Sequence, residues 1–176
     1  MTVPLGMIHG RFQPFHCGHL EYLRLARERC ETLIVGITNP DPTQTAPEET
    51  ADHRHHDEAN PFTFFERLMM IRELLREEGV AERESIIIPF PVNLPDRWRY
   101  YLPRDVTHYV RVFSPWEQTK VDRLREAGYE VEILTPGAGK TFEATEVRRR
   151  MVNGEDWRSM VPPAVARVID GLDRDR

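Results

Sequence analysis

The chain has 176 residues, 40% of them hydrophobic and 30% charged, with a formal net charge of −5. That length suits one domain, residues 1–176, whose core needs no disulfide or metal staple. No apolar run approaches the roughly 18 residues of a membrane span, and no basic segment leads into a long apolar one, so neither membrane insertion nor secretion is expected. The acidic balance also speaks against general nucleic-acid binding, which needs a basic footprint.

Val3–His9 is an apolar run that reads as a first strand. It leads into Gly10-Arg11-Phe12-Gln13-Pro14-Phe15-His16-Cys17-Gly18-His19, and a helix is expected from about Gly18 to Cys30. A strand, a glycine turn and a helix N-terminus form a phosphate site in α/β proteins, because unpaired backbone N–H groups and the helix dipole both favour an anion. His16 and His19, three residues apart, fall on one face of the opening turn and add ring donors there. Cys17 and Cys30 would lie about 20 Å apart along that helix, at about 1.5 Å per residue, too far to pair within it. Free thiols fit a reducing cytoplasm.

Thr32–Thr38 is a second, near-continuous apolar strand, as expected of one buried on both faces. Asn39–Asn60 follows, a long polar stretch that reads as a loop or lid. Its His53-Arg54-His55-His56-Asp57 cluster lacks zinc-site spacing and reads as solvated. Thr63-Phe64-Phe65-Glu66 has the form of a capping box, and Leu68, Met69, Ile71, Leu74 and Leu75 recur at helical spacing up to Gly79. Ser85–Phe90 is a third strand, and Pro91–Pro103 a connection with a short helix expected around Arg97–Leu102. Tyr109–Phe113 is a fourth strand, Pro115 opens a helix that closes at Gly128, and Tyr129–Leu134 is a fifth strand. After Pro136-Gly137-Ala138-Gly139, a C-terminal helical region opens over Thr145–Val152 and restarts at Pro162 to about Leu172.

Strands alternating with helices and no internal repeat predict an α/β fold: a doubly wound, five-stranded parallel sheet with C-terminal helices. Its ligand crevice lies at the carboxyl ends of the strands, where the strand order reverses. The Gly10–His19 turn falls there. Arg148-Arg149-Arg150 is a concentrated cationic run, and a local basic patch in an acidic protein suits a small polyanion. Successive helix positions point about 100° apart, so two of these three arginines should face solvent.

Gly10-Arg11-Phe12-Gln13-Pro14-Phe15-His16-x-Gly18-His19 resembles the signature of the nucleotidylyltransferase superfamily, a His-x-Gly-His element after the first strand, and is most like its archaeal-type nicotinamide-nucleotide adenylyltransferases. Asn60-Pro61-Phe62-Thr63 with Glu66-Arg67, Ala144-Thr145-Glu146-Val147-Arg148-Arg149-Arg150-Met151, and the ending Gly154-Glu155-x-Trp157…Val161-Pro162 are similar to further segments of that family. The resemblance implies a Rossmann-like fold and attack by a phosphate oxygen of an acceptor on the α-phosphate of a nucleoside triphosphate, ATP foremost. It implies that His16 and His19 donate to the triphosphate, that Arg148 holds the leaving pyrophosphate, and that Gly10, Arg11, Phe12, Gln13, Gly18, Ala144 and Thr145 bind nucleotide, Thr145 as the cap of its helix. Asn60, Arg67 and Trp98 would bind the acceptor, nicotinamide or nicotinate mononucleotide foremost. Mg2+ is expected as cofactor with mostly water ligands and no assured protein ligand.

The departures leave alternatives open. Glu143 stands where the family commonly has serine, and either turns away or ligates magnesium. A Thr-Gly-Asn element after the fourth strand is replaced by Phe113-Ser114-Pro115-Trp116, and Pro115 lacks an N–H. Val92-Asn93 occupies the place of an acceptor-binding acid, unless Asp96 substitutes, and Trp98 is either core packing or a stacking surface. The competing readings are an adenylyl- or cytidylyltransferase acting on another phosphate or phosphonate, and a nucleotide-binding regulator without turnover. Family members often assemble, so a homo-oligomer stays open.

Overall fold

The computed structural model describes residues 1–41, 59–135 and 142–172; most of the expected Asn39–Asn60 lid, with its histidine cluster, lies outside the described residues. Among these, β1 (Val3–Gly10), β2 (Cys30–Thr38), β3 (Ser85–Phe90), β4 (Thr107–Val110) and β5 (Glu130–Ile133) form one parallel sheet in the order β3-β2-β1-β4-β5. The order reverses between β1 and β4, as in a doubly wound fold.

Alternation along the strands sorts two cores. Ile8, Leu33, Val35 and Ile37 face one side of the sheet, packed by α1 (Cys17–Arg27), α2 (Phe64–Glu77), α4 (Ala144–Asn153) and α5 (Pro163–Leu172). Met7, Ile34, Phe90 and Val110 face the other, under α3 (Pro115–Glu126) and the 3-10 turn Pro95–Tyr100. Glycine closes α2 and α3 as expected, with φ of +71° at Gly79 and +85° at Gly128. No helix among the described residues is long and apolar enough to cross a membrane.

Several boundaries differ from the sequence reading. Helix α1 stops at Arg27, and Cys30 opens β2 instead of closing the helix. The reason is tertiary: Cys30 is buried against Gly6 of β1, where a Cβ would lie 2.7 Å from that of Cys30. Strand β4 ends at Val110, earlier than expected, and α4 begins one residue sooner, at Ala144. Both cysteines are free, and burial pushes each thiol pKa up.

The seam between β1 and β4 is short. Only Gly6 with Thr107 and Met7 with His108 are in register there, against seven paired positions between β1 and β2. Past this point the Tyr22 hydroxyl, from α1, donates to the Tyr109 carbonyl of β4 and lies beside the His9 backbone N–H of β1. A side chain thus stands in for the ladder where the strands part.

Candidate active site

His16 and His19 build the start of α1 between them. The Nδ1 of His16, the N-cap residue, accepts from the N–H groups of Gly18 at 3.1 Å and His19 at 3.3 Å. The Nδ1 of His19 accepts in return from the His16 N–H at 3.2 Å. This is a capping box made of two imidazoles. The rings stack at 3.6 Å with 19° between their planes. With each Nδ1 an acceptor, the proton of each neutral ring sits on Nε2, so both rings present a donor. The capping pair and the pair expected to bind phosphate are thus the same two residues. Gly18 permits it, since a Cβ there would lie 3.0 Å from His16 Cε1.

The far end of the chain comes to the same place. Arg148 of α4 donates from NH1 to the Gln13 carbonyl at 2.7 Å, and from NH2 to Thr145 Oγ1 at 3.2 Å. Phe142, just ahead of α4, has its ring 6.5 Å from that of His16. Two helix N-termini, of α1 and α4, thus converge on one mouth, and their dipoles add there. Burial lowers the Arg148 pKa, yet the guanidinium remains a cation at neutral pH. Thr145 is not the cap expected from sequence: Glu143 holds the N-cap position without a side-chain cap bond, and Thr145 stands one place beyond Ala144 in the first turn. Arg149 and Arg150 pair with Glu146, and Arg149 also with Glu155, which leaves Arg148 as the member of the run turned to the mouth.

Several residues expected to touch nucleotide also shape the loop. Gly10 is needed by a neighbouring ring, because a Cβ there would lie 2.9 Å from Phe12 Cε1. Phe12, at φ 51°, is 1% exposed and packs on Phe15 and the edge of His19. The Gln13 amide is spent on the Phe62 backbone, donating to its carbonyl at 2.8 Å and accepting its N–H at 2.9 Å. Arg11 reaches Asn60 Oδ1 at 3.4 Å.

Of the three residues expected at the acceptor, two are structural. Arg67 is 2% exposed and donates to the carbonyls of Arg11, Thr38 and Asn39, each at 2.8 Å, and of Thr63 at 3.2 Å. It ties the ends of β1 and β2 to the start of α2, and burial lowers its pKa to about 10. Trp98 is 1% exposed, stacked against Phe90 at 5.6 Å and edged by Tyr129 at 6.3 Å, with its indole N–H donating to the Pro91 carbonyl at 2.9 Å. It offers no open ring face. Asn60 lines a cleft of about 160 Å³ with Asn39, Phe62 and Arg67.

Two residues went unread in the sequence. His9 on β1 and His108 on β4 are 3% and 0% exposed, with ring centroids 5.7 Å apart. None of their four ring nitrogens has a hydrogen-bond partner among the described residues. Burial, and next the charge of Lys120, hold His9 well below its ordinary pKa and His108 at about 3. The available signal was strand alternation: His9 shares the inward phase of Met7.

Among the described residues no group of three or more His, Cys, Asp or Glu side chains is placed to hold a metal ion. The donors at the mouth, imidazole N–H, guanidinium and helix amides, suit anionic oxygens.

A cytidylyltransferase-like family model matches residues 7–89. The chain is 46% identical over 164 residues to the phosphonoformate cytidylyltransferase of Streptomyces viridochromogenes, covering 93% of this chain and 89% of that protein. It is 34% identical over 176 residues to the nicotinamide-nucleotide adenylyltransferase of Thermococcus kodakarensis, covering 98% and 87%. In fold it is similar to a bifunctional NMN adenylyltransferase/ADP ribose pyrophosphatase from Francisella tularensis, with TM-score 0.72 and 20% identity, over 98% of this chain and 50% of that one. The chain belongs to the nucleotidylyltransferase family. It is an enzyme of that class, and the turnover-free regulator finds no support among these relatives.

Proposed function

We propose that this protein transfers a nucleoside monophosphate, CMP foremost, from its triphosphate to a small phosphonate or phosphate acceptor and releases pyrophosphate. The observation that carries the small acceptor is the enclosure of Trp98: a pyridine-sized ring would have to displace Phe90 or Tyr129 to stack on it. The 46% identity to a phosphonoformate cytidylyltransferase supports the same choice.

An acceptor oxygen attacks the α-phosphorus, the bond to the bridging oxygen breaks, and pyrophosphate leaves with the bonding electrons. No protein nucleophile is required, so the work is positioning and charge stabilisation. The Nε2–H groups of His16 and His19 donate to phosphate oxygens as negative charge builds on them. The amides of Ala144 and Thr145 at the head of α4, with the Thr145 hydroxyl, receive the β- and γ-phosphates. Arg148 holds the departing pyrophosphate while its bond to Gln13 fixes the fork. Magnesium, if carried in on the phosphates with water ligands, supplies charge neutralisation, and Glu143 at the opening of α4 is the acid that would reach it.

ATP with nicotinamide mononucleotide is the second reading, favoured by the archaeal relative at 34% identity. Pyrophosphate release should be measured with CTP and ATP against phosphonoformate and nicotinamide mononucleotide. Turnover of phosphonoformate with CTP is expected. Turnover confined to ATP and the mononucleotide would replace this reading with the second.

A further inference from the structure

The sheet face under α3 carries a polar defect that the steps above do not use. His9 and His108 lie there among Met7, Phe90, Trp98 and Tyr129, with His9 ring contacts to Phe90 at 5.3 Å and His108 ring contacts to Tyr129 at 5.0 Å. A neutral imidazole buried without partners gives up hydration for nothing in return, and such groups are rare in folded proteins. Two of them in edge contact, on adjacent strands, are rarer still. The packing around them depends on Gly36 of β2, where a Cβ would overlap Met7 Cε and lie 3.1 Å from Phe90 Cβ and 3.2 Å from His9 Cβ.

Their position is informative. His9 is the residue before Gly10, so it ends where the phosphate loop begins. The two strands lose their ladder beyond Met7 and His108, at the reversal of strand order where doubly wound sheets take ligands. Lys120 of α3 is close enough for its charge to act on both rings.

We propose that His9 and His108 form the inner wall of the acceptor subsite and donate ring N–H groups to a carboxylate carried beside the attacking phosphonate. This rests on the small-acceptor reading given above. The phosphonate must sit at the mouth by His16 and His19 to reach the α-phosphorus. A carboxylate one bond further on then turns inward, past Gly10, toward His9. Neutral imidazoles are suited to this, since each can supply an N–H without a buried charge of its own.

The test compares phosphonoformate with methylphosphonate, which keeps the phosphonate and lacks the carboxylate. The wild type should prefer phosphonoformate in kcat/KM. His9→Phe should raise the KM for phosphonoformate about tenfold to a hundredfold, as for loss of a hydrogen bond to a charged group, leave the KM for CTP within about twofold, and abolish the preference. His9→Gln, which retains an N–H, should restore most of it. Imidazole 15N resonances of His9 and His108 in the wild type should move on adding phosphonoformate with a non-hydrolysable CTP analogue, and stay put with methylphosphonate. If His9→Phe does not fold, the His9→Gln kinetics and these resonances decide. Turnover of phosphonoformate with an unchanged preference in His9→Phe, or with unmoved resonances, overturns this inference alone. A wild type that turns over nicotinamide mononucleotide and not phosphonoformate overturns the small-acceptor reading and this inference with it.

Discussion

Arg148 and Gln13 stand 135 positions apart in sequence, and the guanidinium of one meets the carbonyl of the other at 2.7 Å. That bond joins the head of α4 to the loop after β1, so the residue proposed to hold pyrophosphate also closes the site. Arg148→Lys keeps the charge but loses the planar fork. It should lower kcat/KM by about 10²–10³ with little change in melting temperature, checked by steady-state kinetics and calorimetric melting. A drop in stability with full activity would assign the arginine to the fold alone.

His19→Ala removes a donor and half of a helix cap together. Turnover should fall by about 10²–10³, and stability by about 1 kcal/mol, the usual cost of a lost cap. His19→Asn retains a short polar side chain at the third position of α1, and should recover stability more than rate. Chemical denaturation beside pyrophosphate release separates the two effects.

Arg67 predicts a different profile. Its guanidinium serves four backbone carbonyls and lies 2% exposed. Arg67→Met should destabilise by on the order of 3 kcal/mol, because those carbonyls lose their donors in a buried place. For a domain of this size that is a fall of about 10 °C in Tm. The change should weaken the KM of both substrates together, as expected of a loop losing its shape. A loss confined to the acceptor would return Arg67 to the substrate contacts.

Acid should unfold the protein through His9 and His108. Both are pushed below the ordinary value of 6.5 in the fold, His108 to about 3, by burial and by Lys120. Between those limits the unfolded chain binds more protons than the native one, so stability falls as pH drops below about 6.5 and is level above it. The slope is about 1.4 kcal/mol per pH unit for each histidine that titrates only on unfolding. His108→Phe should flatten the acid limb of a denaturation series taken from pH 7 to 4. An unaltered limb would show that other groups govern it.

The alternation of strands and helices and the Gly10–His19 turn are legible in the sequence, because each is written in a period or a contiguous motif, whereas the meeting of His16, His19 and Arg148 is implied only by the family resemblance. What escaped it is set by contacts across the chain. Nothing near Trp98 says that Phe90 and Tyr129 will cover its ring. Gln13 and Phe12 sit inside a ligand-binding motif, yet their partners are Phe62, 49 positions on, and the core. Cys30 has the spacing of a helix's last turn, and it opens β2 because Gly6 of the neighbouring strand leaves it a socket. His9 was visible only as one polar residue in an apolar strand, and its meaning depends on a second histidine 99 places later, on β4.

The short seam bears on how the molecule breathes. Strands β4 and β5 join the rest of the sheet at two register positions, helped by the Tyr22 and Tyr109 hydroxyls and the Arg29–Glu132 pair, whereas β1 and β2 share seven. The amides of β4 and β5 should therefore exchange with solvent through partial openings that leave β1 and β2 closed. A ligand lying across the parting strands would bridge the two parts. Its binding free energy would then slow exchange most in the strands that do the least to hold themselves.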